Sequence, residues 1–156
     1  MTTPTILLST VADAAEILAL QKLAYQSESE LYGDQSIPPL MQTLSEMEDD
    51  LRTQMVLKAT IDGEIVASAR AYEKDGTAFI GRVIVDPRMQ GRGVGKRIMA
   101  AIESRFPQAR RFELFTGHLS TRNLGFYRGL GYTAFKTVAL TSAIQFVYLE
   151  KQAPPR

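Results

Sequence analysis

Residues 83–97 read Val83-Ile84-Val85-Asp86-Pro87-Arg88-Met89-Gln90-Gly91-Arg92-Gly93-Val94-Gly95-Lys96-Arg97. An apolar strand end, a turn at Asp86-Pro87, three alternating glycines and the start of an amphipathic helix follow one another without a gap. Strand, glycine loop and helix in that order make an anion-binding arrangement. Glycines let the backbone approach a ligand closely, the first N–H groups of the helix lack internal partners, and the helix dipole favours negative charge there. Arg88, Arg92, Lys96 and Arg97 crowd positive charge around the same point. A diphosphate meets all of these conditions, and guanidinium groups suit phosphate geometry.

Two familiar phosphate loops fail on the letters. A Walker A loop needs glycine where Gln90 stands and Ser or Thr where Arg97 stands. The dinucleotide fingerprint needs glycine three residues after Gly93, at Lys96.

Working upstream, Thr77 to Val85 is apolar on both alternating faces, the mark of a central strand covered on both sides. Before it, Met55–Ile61, the Asp62-Gly63 turn and Glu64–Tyr72 spell a hairpin, and Lys74-Asp75-Gly76 marks the next turn. Further back, Thr5–Leu8 reads as a short strand. Thr10 with Asp13 offers a helix start, and Ile17, Leu20 and Ala24 keep helical spacing. Glu28 through Pro39 is polar, with Gly33 and Pro38-Pro39, and is expected as an exposed connection before a second helix over Leu40–Leu51.

Downstream, Val94, Ile98, Ala101 and Ile102 share a helix face, and Pro107 stops that helix. Phe112–Thr116 reads as a strand, and Asn123–Leu130 as a short helix closed by Gly131. Strands follow near Ala134–Leu140 and Gln145–Glu150, and the tail 153–156 is expected to be disordered. The order β-α-α-β-β-β-α-β-α-β-β, with no repeat or interior linker, argues for one α/β domain over 1–152, a mixed sheet with helices on both faces.

Composition narrows function. The 156 residues suit one domain with a real core, and 45% apolar with 22% charged residues is a globular profile. A net charge of +1 supplies no global field for nucleic acid or membrane. Absence of cysteine excludes disulfides, thiolate nucleophiles and Cys-ligated metals, and the lone His118 builds no metal site by itself. With no leader-like or membrane-length apolar run, a cytoplasmic setting is the default expectation.

The run Val85–Gly95 resembles the signature of the GNAT superfamily of N-acetyltransferases, in which Gln or Arg is followed by x-x-Gly-x-Gly or Ala; Gln90, Gly93 and Gly95 fit it. A second stretch, Ser120 through Tyr132, is similar to that family's Asn-containing helix ending in Tyr-x-x-x-Gly-Phe/Tyr, with Tyr127 and Gly131 in place. The family often has Asn seven residues before the Tyr. Here that position is Ser120, with Asn123 four before, so either of the two is a candidate for touching the cofactor.

The resemblance covers nearly the whole chain. It implies an α/β (α+β) fold: a central mixed, mostly antiparallel twisted sheet of six to seven strands flanked by about four helices. It implies acetyl-CoA as co-substrate, with no metal. Gln90, Gly91, Arg92, Gly93, Val94, Gly95 and Lys96 would hold the pyrophosphate, while Val83, Ile84 and Val85 would pair with the pantetheine arm. Tyr127 would be the catalytic acid that protonates the departing thiolate. A homodimer is a further option.

Acyl transfer also needs a neutral amine and a held oxyanion. A backbone N–H at Val83 to Val85 is the candidate for the oxyanion, provided the strand splays. Many relatives carry a Glu before the loop, where this chain has Gly81-Arg82. Glu113, His118, Glu28 and Glu30 remain as candidate bases. Glu28, Tyr32, Arg82 and His118 are candidates for contact with the acceptor, a small-molecule amine by expectation. Acidic residues at 28, 30 and 34 suit a cationic amine, whereas Arg70 and Arg82 suit a carboxylate on the acceptor. Plainer readings stand beside these: a solvated connection at 28–34, a packing role for Tyr127 and a structural His118. Acetylation of a protein or peptide amine, a non-catalytic acetyl-CoA sensor and an RNA-binding domain are the competing functions.

Overall fold

The computed structural model describes residues 3–155. Met1, Thr2 and Arg156, the last belonging to the expected tail, lie outside the described residues. Strand β1 (Thr5–Leu8) leads through a single 3-10 turn into α1 (Ala14–Ala24), α2 (Gln26–Tyr32), the one-turn α3 (Pro38–Met41) and α4 (Leu44–Thr53). Three strands follow, β2 (Met55–Ile61), β3 (Glu64–Lys74) and β4 (Thr77–Val85), then α5 (Val94–Ser104), β5 (Arg111–Gly117), α6 (Thr121–Gly129), β6 (Thr133–Ala139) and β7 (Gln145–Gln152).

The strands form one seven-stranded sheet in the order β1-β2-β3-β4-β5-β7-β6. Every neighbouring pair is antiparallel except β4 with β5. The fold class therefore agrees with the expectation. The helices differ: among the described residues there are six α-helical segments, because residues 28–39 are not a plain connection.

Each departure has a local cause. Helix α2 is polar up to Leu31 and Tyr32 and ends at Gly33, whose φ of 61° is the left-handed C-cap that glycine tolerates. Pro38 opens α3 at a first-turn position where a missing N–H costs nothing. Helix α4 starts at Leu44 rather than Leu40 because Thr43 and Glu46 form a capping box: Thr43 N–H donates to Glu46 Oε1 at 2.9 Å, and Glu46 N–H donates to Thr43 Oγ1 at 3.2 Å.

Both hairpins are closed by left-handed pairs, Asp62 (φ 53°) with Gly63 (φ 80°) and Asp75 (φ 52°) with Gly76 (φ 82°). This is the twist-compatible turn that Asp-Gly announced. Two buried clusters sit on opposite faces of the sheet. Leu57 and Val66 pack with Ile98, Met99 and Ile102 of α5, while their chain neighbours Val56 and Ile65 pack with Ile17, Leu20 and Met47 of α1 and α4. That division of adjacent residues is the period of two that a strand imposes. At the C-terminal end, Ala153 N–H donates to Arg110 O at 2.8 Å, so the chain stays tied to the sheet one residue beyond β7. Among the described residues no helix is long and apolar enough to cross a membrane.

Candidate active site

The parallel pair β4/β5 is joined over only three register positions, Thr77 with Arg111, Ala78 with Phe112 and Phe79 with Glu113. Beyond Phe79 the two strands part, and the residues of β4 have no partner on β5. Just there β4 carries a bulge. Ser68 pairs with Ile84 and Arg70 with Gly81, which leaves one additional residue on β4, and Arg82 takes φ 47°. A bulge re-aims the side chains after it. The parted strands open onto a cleft of about 1300 Å³ that runs from the glycine loop to the aromatic end of β5.

The loop is built for close approach. Asp86 N–H donates to Val66 O at 2.8 Å, and the Asp86 carboxylate accepts from Arg88 N–H at 2.9 Å and from the Arg88 guanidinium at 2.8 Å, so the turn after β4 is locked to the sheet. The Arg88 hydrogen bond holds the Asp86 carboxyl below its ordinary value, against a smaller opposing effect of burial. Gly91 (φ 77°) and Gly93 (φ 78°) are both left-handed. Gly93 is the N-cap of α5 and supplies no side-chain cap, so the first-turn amides are not satisfied by a capping oxygen. Gly95 lies close under the cleft side chains instead: a Cβ there would press on Phe126 at 3.3 Å and meet Val85 at an ordinary contact of 3.5 Å. Gln90, Gly91, Gly93, Val94, Gly95 and Lys96 all line the cleft, together with Val83, Ile84 and Val85; Arg92 stands outside the lining. Uncapped amides, left-handed glycines and the Lys96 ammonium are a donor set that fits a diphosphate.

Facing the loop across the cleft are α2 and the start of α6. Ser120 Oγ–H and Asn123 Nδ2–H both donate to Glu28 Oε1 at 2.8 Å, and Asn123 Nδ2–H reaches Thr116 Oγ1 at 3.3 Å. The two polar residues of the second motif therefore meet on one carboxylate oxygen. The other, Glu28 Oε2, is buried with no hydrogen-bond partner among the described residues. One turn after Asn123, Tyr127 also lines the cleft and is buried, edge-on to Phe126 at 5.2 Å and to Tyr132 at 6.1 Å. Burial raises the Tyr127 phenol well above its ordinary value, and the nearby Tyr25 and Glu28 push the same way. Burial likewise raises Tyr25, a cleft residue that has no motif to announce it.

Tyr32 and His118 form a second pair. Tyr32 Oη accepts from Leu119 N–H at 3.0 Å, and burial raises its phenol. His118 stacks obliquely on Tyr32 at 5.7 Å, its Nδ1 accepts from Gln145 N–H at 3.0 Å, and its own N–H donates to Gln145 O at 2.9 Å. Tyr32 lines the cleft and His118 does not, so the imidazole ties the β5–α6 loop to β7 rather than facing the cavity.

At the far end Arg82 lines the cleft and donates to Gln42 Oε1 at 3.1 Å, and burial lowers its pKa. Arg70 is ion-paired with Asp50, which also accepts from Gln42 Nε2–H at 2.5 Å. Glu113 and Glu30 both line the cleft, and the Glu113 carboxylate is ion-paired with Arg111 at 3.1 Å. Phe115, Phe146 and Tyr148 form an aromatic wall, with ring centroids of Phe115 4.7 Å from Phe146 and 5.1 Å from Tyr148. Sequence reasoning missed Gln42, Tyr25 and this wall. Only the wall had a readable signal, the two-residue spacing of Phe146 and Tyr148.

A family model described as the acetyltransferase (GNAT) family matches residues 16–132. No curated protein sequence matches the chain. Among solved structures, the PaiA N-acetyltransferase of Thermoplasma acidophilum, in complex with coenzyme A, superposes with a TM-score of 0.83 at 12% identity, over 97% of this chain and 100% of that one. The ribosomal-protein-S18-alanine N-acetyltransferase of Escherichia coli gives 0.78 at 13% identity, over 96% and 94%. YncA of Salmonella typhimurium, a putative acetyltransferase with its cofactor acetyl-CoA, gives 0.73 at 16% identity, over 99% and 99%. At such identities the likeness is one of fold.

Proposed function

The chain belongs to the acetyltransferase (GNAT) family, and on that premise we propose that it moves an acetyl group from acetyl-CoA directly to a primary amine of a small molecule. The observation that carries this reading is the parting of β4 from β5 after three register pairs, directly above an uncapped helix start rich in left-handed glycine. A long ligand with a doubly charged linker suits that slot: the amides at Val94, Gly95 and Lys96 take the diphosphate, and the unpaired β4 edge at Val83–Val85 takes the amides of the pantetheine arm. The thioester then lies between β4 and Tyr127.

Bound there, acetyl-CoA supplies an activated acyl group with a tolerable leaving sulfur. Tyr127 is suited to give that sulfur a proton, because burial keeps its phenol neutral throughout the working pH range. A backbone N–H after the β4 bulge is placed to receive the developing charge on the carbonyl oxygen. The aromatic wall of Phe115, Phe146 and Tyr148 favours an acceptor with an apolar body. A cytoplasmic setting and chemistry without a metal ion belong to the same reading.

The test is calorimetric titration of the purified protein with coenzyme A, followed by thiol release from acetyl-CoA across polyamines, arylalkylamines, amino acids, aminoglycosides and peptides. Absence of affinity for coenzyme A overturns the reading.

A further inference from the structure

Four side chains qualify by type as the group that takes a proton from the acceptor, and their surroundings separate them. His118 does not line the cleft, and its Nδ1 already accepts from Gln145 N–H at 3.0 Å. Glu113 lines the cleft, but its carboxylate is already engaged by the Arg111 guanidinium at 3.1 Å. Glu30 is exposed at the cleft mouth, where water and salt screen its charge. Glu28 differs from all three. It is half-buried and lines the cleft, its Oε1 is held by two neutral donors, and its Oε2 is buried without a partner.

A carboxylate held in this way is incomplete. Ser120 and Asn123 fix its position from the start of α6 without neutralising it. The second oxygen has lost water and gained nothing in return, and such a group carries a full desolvation cost until a donor reaches it. The terminal torsion of a glutamate is soft, so a small turn of the carboxyl brings that oxygen to a donor arriving through the cleft without moving α2. An ammonium is the natural complement, because it brings both the charge and the hydrogen bond that are lacking. Asn123 and Tyr127 lie four residues apart on α6, so the Glu28 carboxylate and the Tyr127 hydroxyl are served by one face of one helix.

We propose that Glu28 is the general base of the transfer, receiving the acceptor's proton on the oxygen that Ser120 and Asn123 leave free; the assignment rests on the acetyl-transfer reading above. Glu28 takes one proton from the acceptor ammonium, and the neutral amine attacks the thioester carbonyl. The N–C bond forms and the C–S bond breaks. Tyr127 gives its hydroxyl proton to the departing sulfur and is restored by the second proton lost from nitrogen as the amide forms. The proton on Glu28 passes to solvent, so ammonium and thioester become amide, thiol and one released proton.

The sequence offered Glu28 as one candidate among four, and could not separate it from them because the acidic residues of α2 also read as a solvated connection. Ser120 and Asn123 take a different meaning as well: they position the base, and their loss acts through Glu28.

The test compares the parent with Glu28→Gln, whose amide oxygen still accepts from Ser120 and Asn123. Phenethylamine and spermidine serve as acceptors, read by thiol release from acetyl-CoA between pH 6 and 10, with coenzyme A affinity measured in parallel. The variant is expected to bind coenzyme A within threefold of the parent, to turn over about 10²-fold more slowly at neutral pH, and to recover as the pH nears the amine's own pKa of roughly 10. Glu28→Asp, which keeps the charge but withdraws it, should fall between the two. An active parent with an equally active Glu28→Gln overturns the assignment, and so does a loss that stays constant across the pH range. A parent without coenzyme A affinity, or one that binds it yet releases no thiol with either amine, overturns the transfer reading itself.

Discussion

The Tyr32 hydroxyl occupies the space that a side chain on residue 117 would need: a Cβ built on Gly117 lies 1.9 Å from Tyr32 Oη. The end of β5 and the end of α2 thus meet with a phenol directly against backbone, and Leu119 N–H donates to the same hydroxyl at 3.0 Å. Gly117→Ala should expel the ring and strand that amide, at a cost of about 1–3 kcal/mol. Chemical denaturation measures the loss. Because the clash is with one side chain, adding Tyr32→Ala to the variant should make the two changes non-additive.

Gly93→Val tests the loop without crowding the fold, since nothing lies within 4 Å of a Cβ at Gly93. Its φ of 78° makes any other residue strained there, by about 1–2 kcal/mol, and a branched side chain would screen the amides that follow. Coenzyme A should raise the melting temperature of the parent by mass action, and the variant should lose most of that shift.

Tyr127→Phe removes one oxygen and leaves the ring packed against Phe126 and Tyr132. Coenzyme A affinity should persist while turnover falls about 10²-fold, the lower range for loss of a positioned acid. Burial raises this phenol above its ordinary 10.0, so the acidic form persists to higher pH than a free tyrosine's. In the parent, turnover should therefore show no decline attributable to this group below pH 10. A tyrosine-dependent fall with a midpoint under that value would place the acid elsewhere.

Asp86 makes stability sensitive to acid. Its carboxyl is held below the ordinary 3.8, chiefly by its hydrogen bond to Arg88. A depressed carboxyl contributes stability that is present above the unfolded value and is lost as the pH falls through the folded one. Melting scans of the parent and Asp86→Asn should differ most near neutrality and converge as the pH falls below 3.8 and through the lowered folded value, where protonation removes the parent's advantage.

Local signals carried most of the architecture. Asp62-Gly63 and Asp75-Gly76 announced both hairpin turns, and Phe79, Ile80, Val83, Ile84 and Val85 announced a strand covered on both faces. The helix α2 did not announce itself because Gln26–Tyr32 has no apolar period; it is held by what lies across the cleft, Glu28 on Ser120 and Asn123, and Tyr32 on Leu119. Thr43 and Glu46 did carry a capping signature, which the apolar Leu40 and Met41 after the two prolines obscured. In the site, the glycine loop and Tyr127 were legible as motifs. The bulge at Arg82 was not, because arginine in the left-handed region is imposed by the strand pairing and not by its own preference.

Three register pairs are all that bind the four-stranded half of the sheet to the three-stranded half along their common edge. An occupant lying in the gap would touch both halves and so act as a rivet across the molecule's weakest seam. Amide exchange at Thr77–Phe79 should slow when the gap is filled, and resistance to proteases should rise with it. The lifetime of the folded chain then becomes a readout of how much of that occupant its surroundings supply.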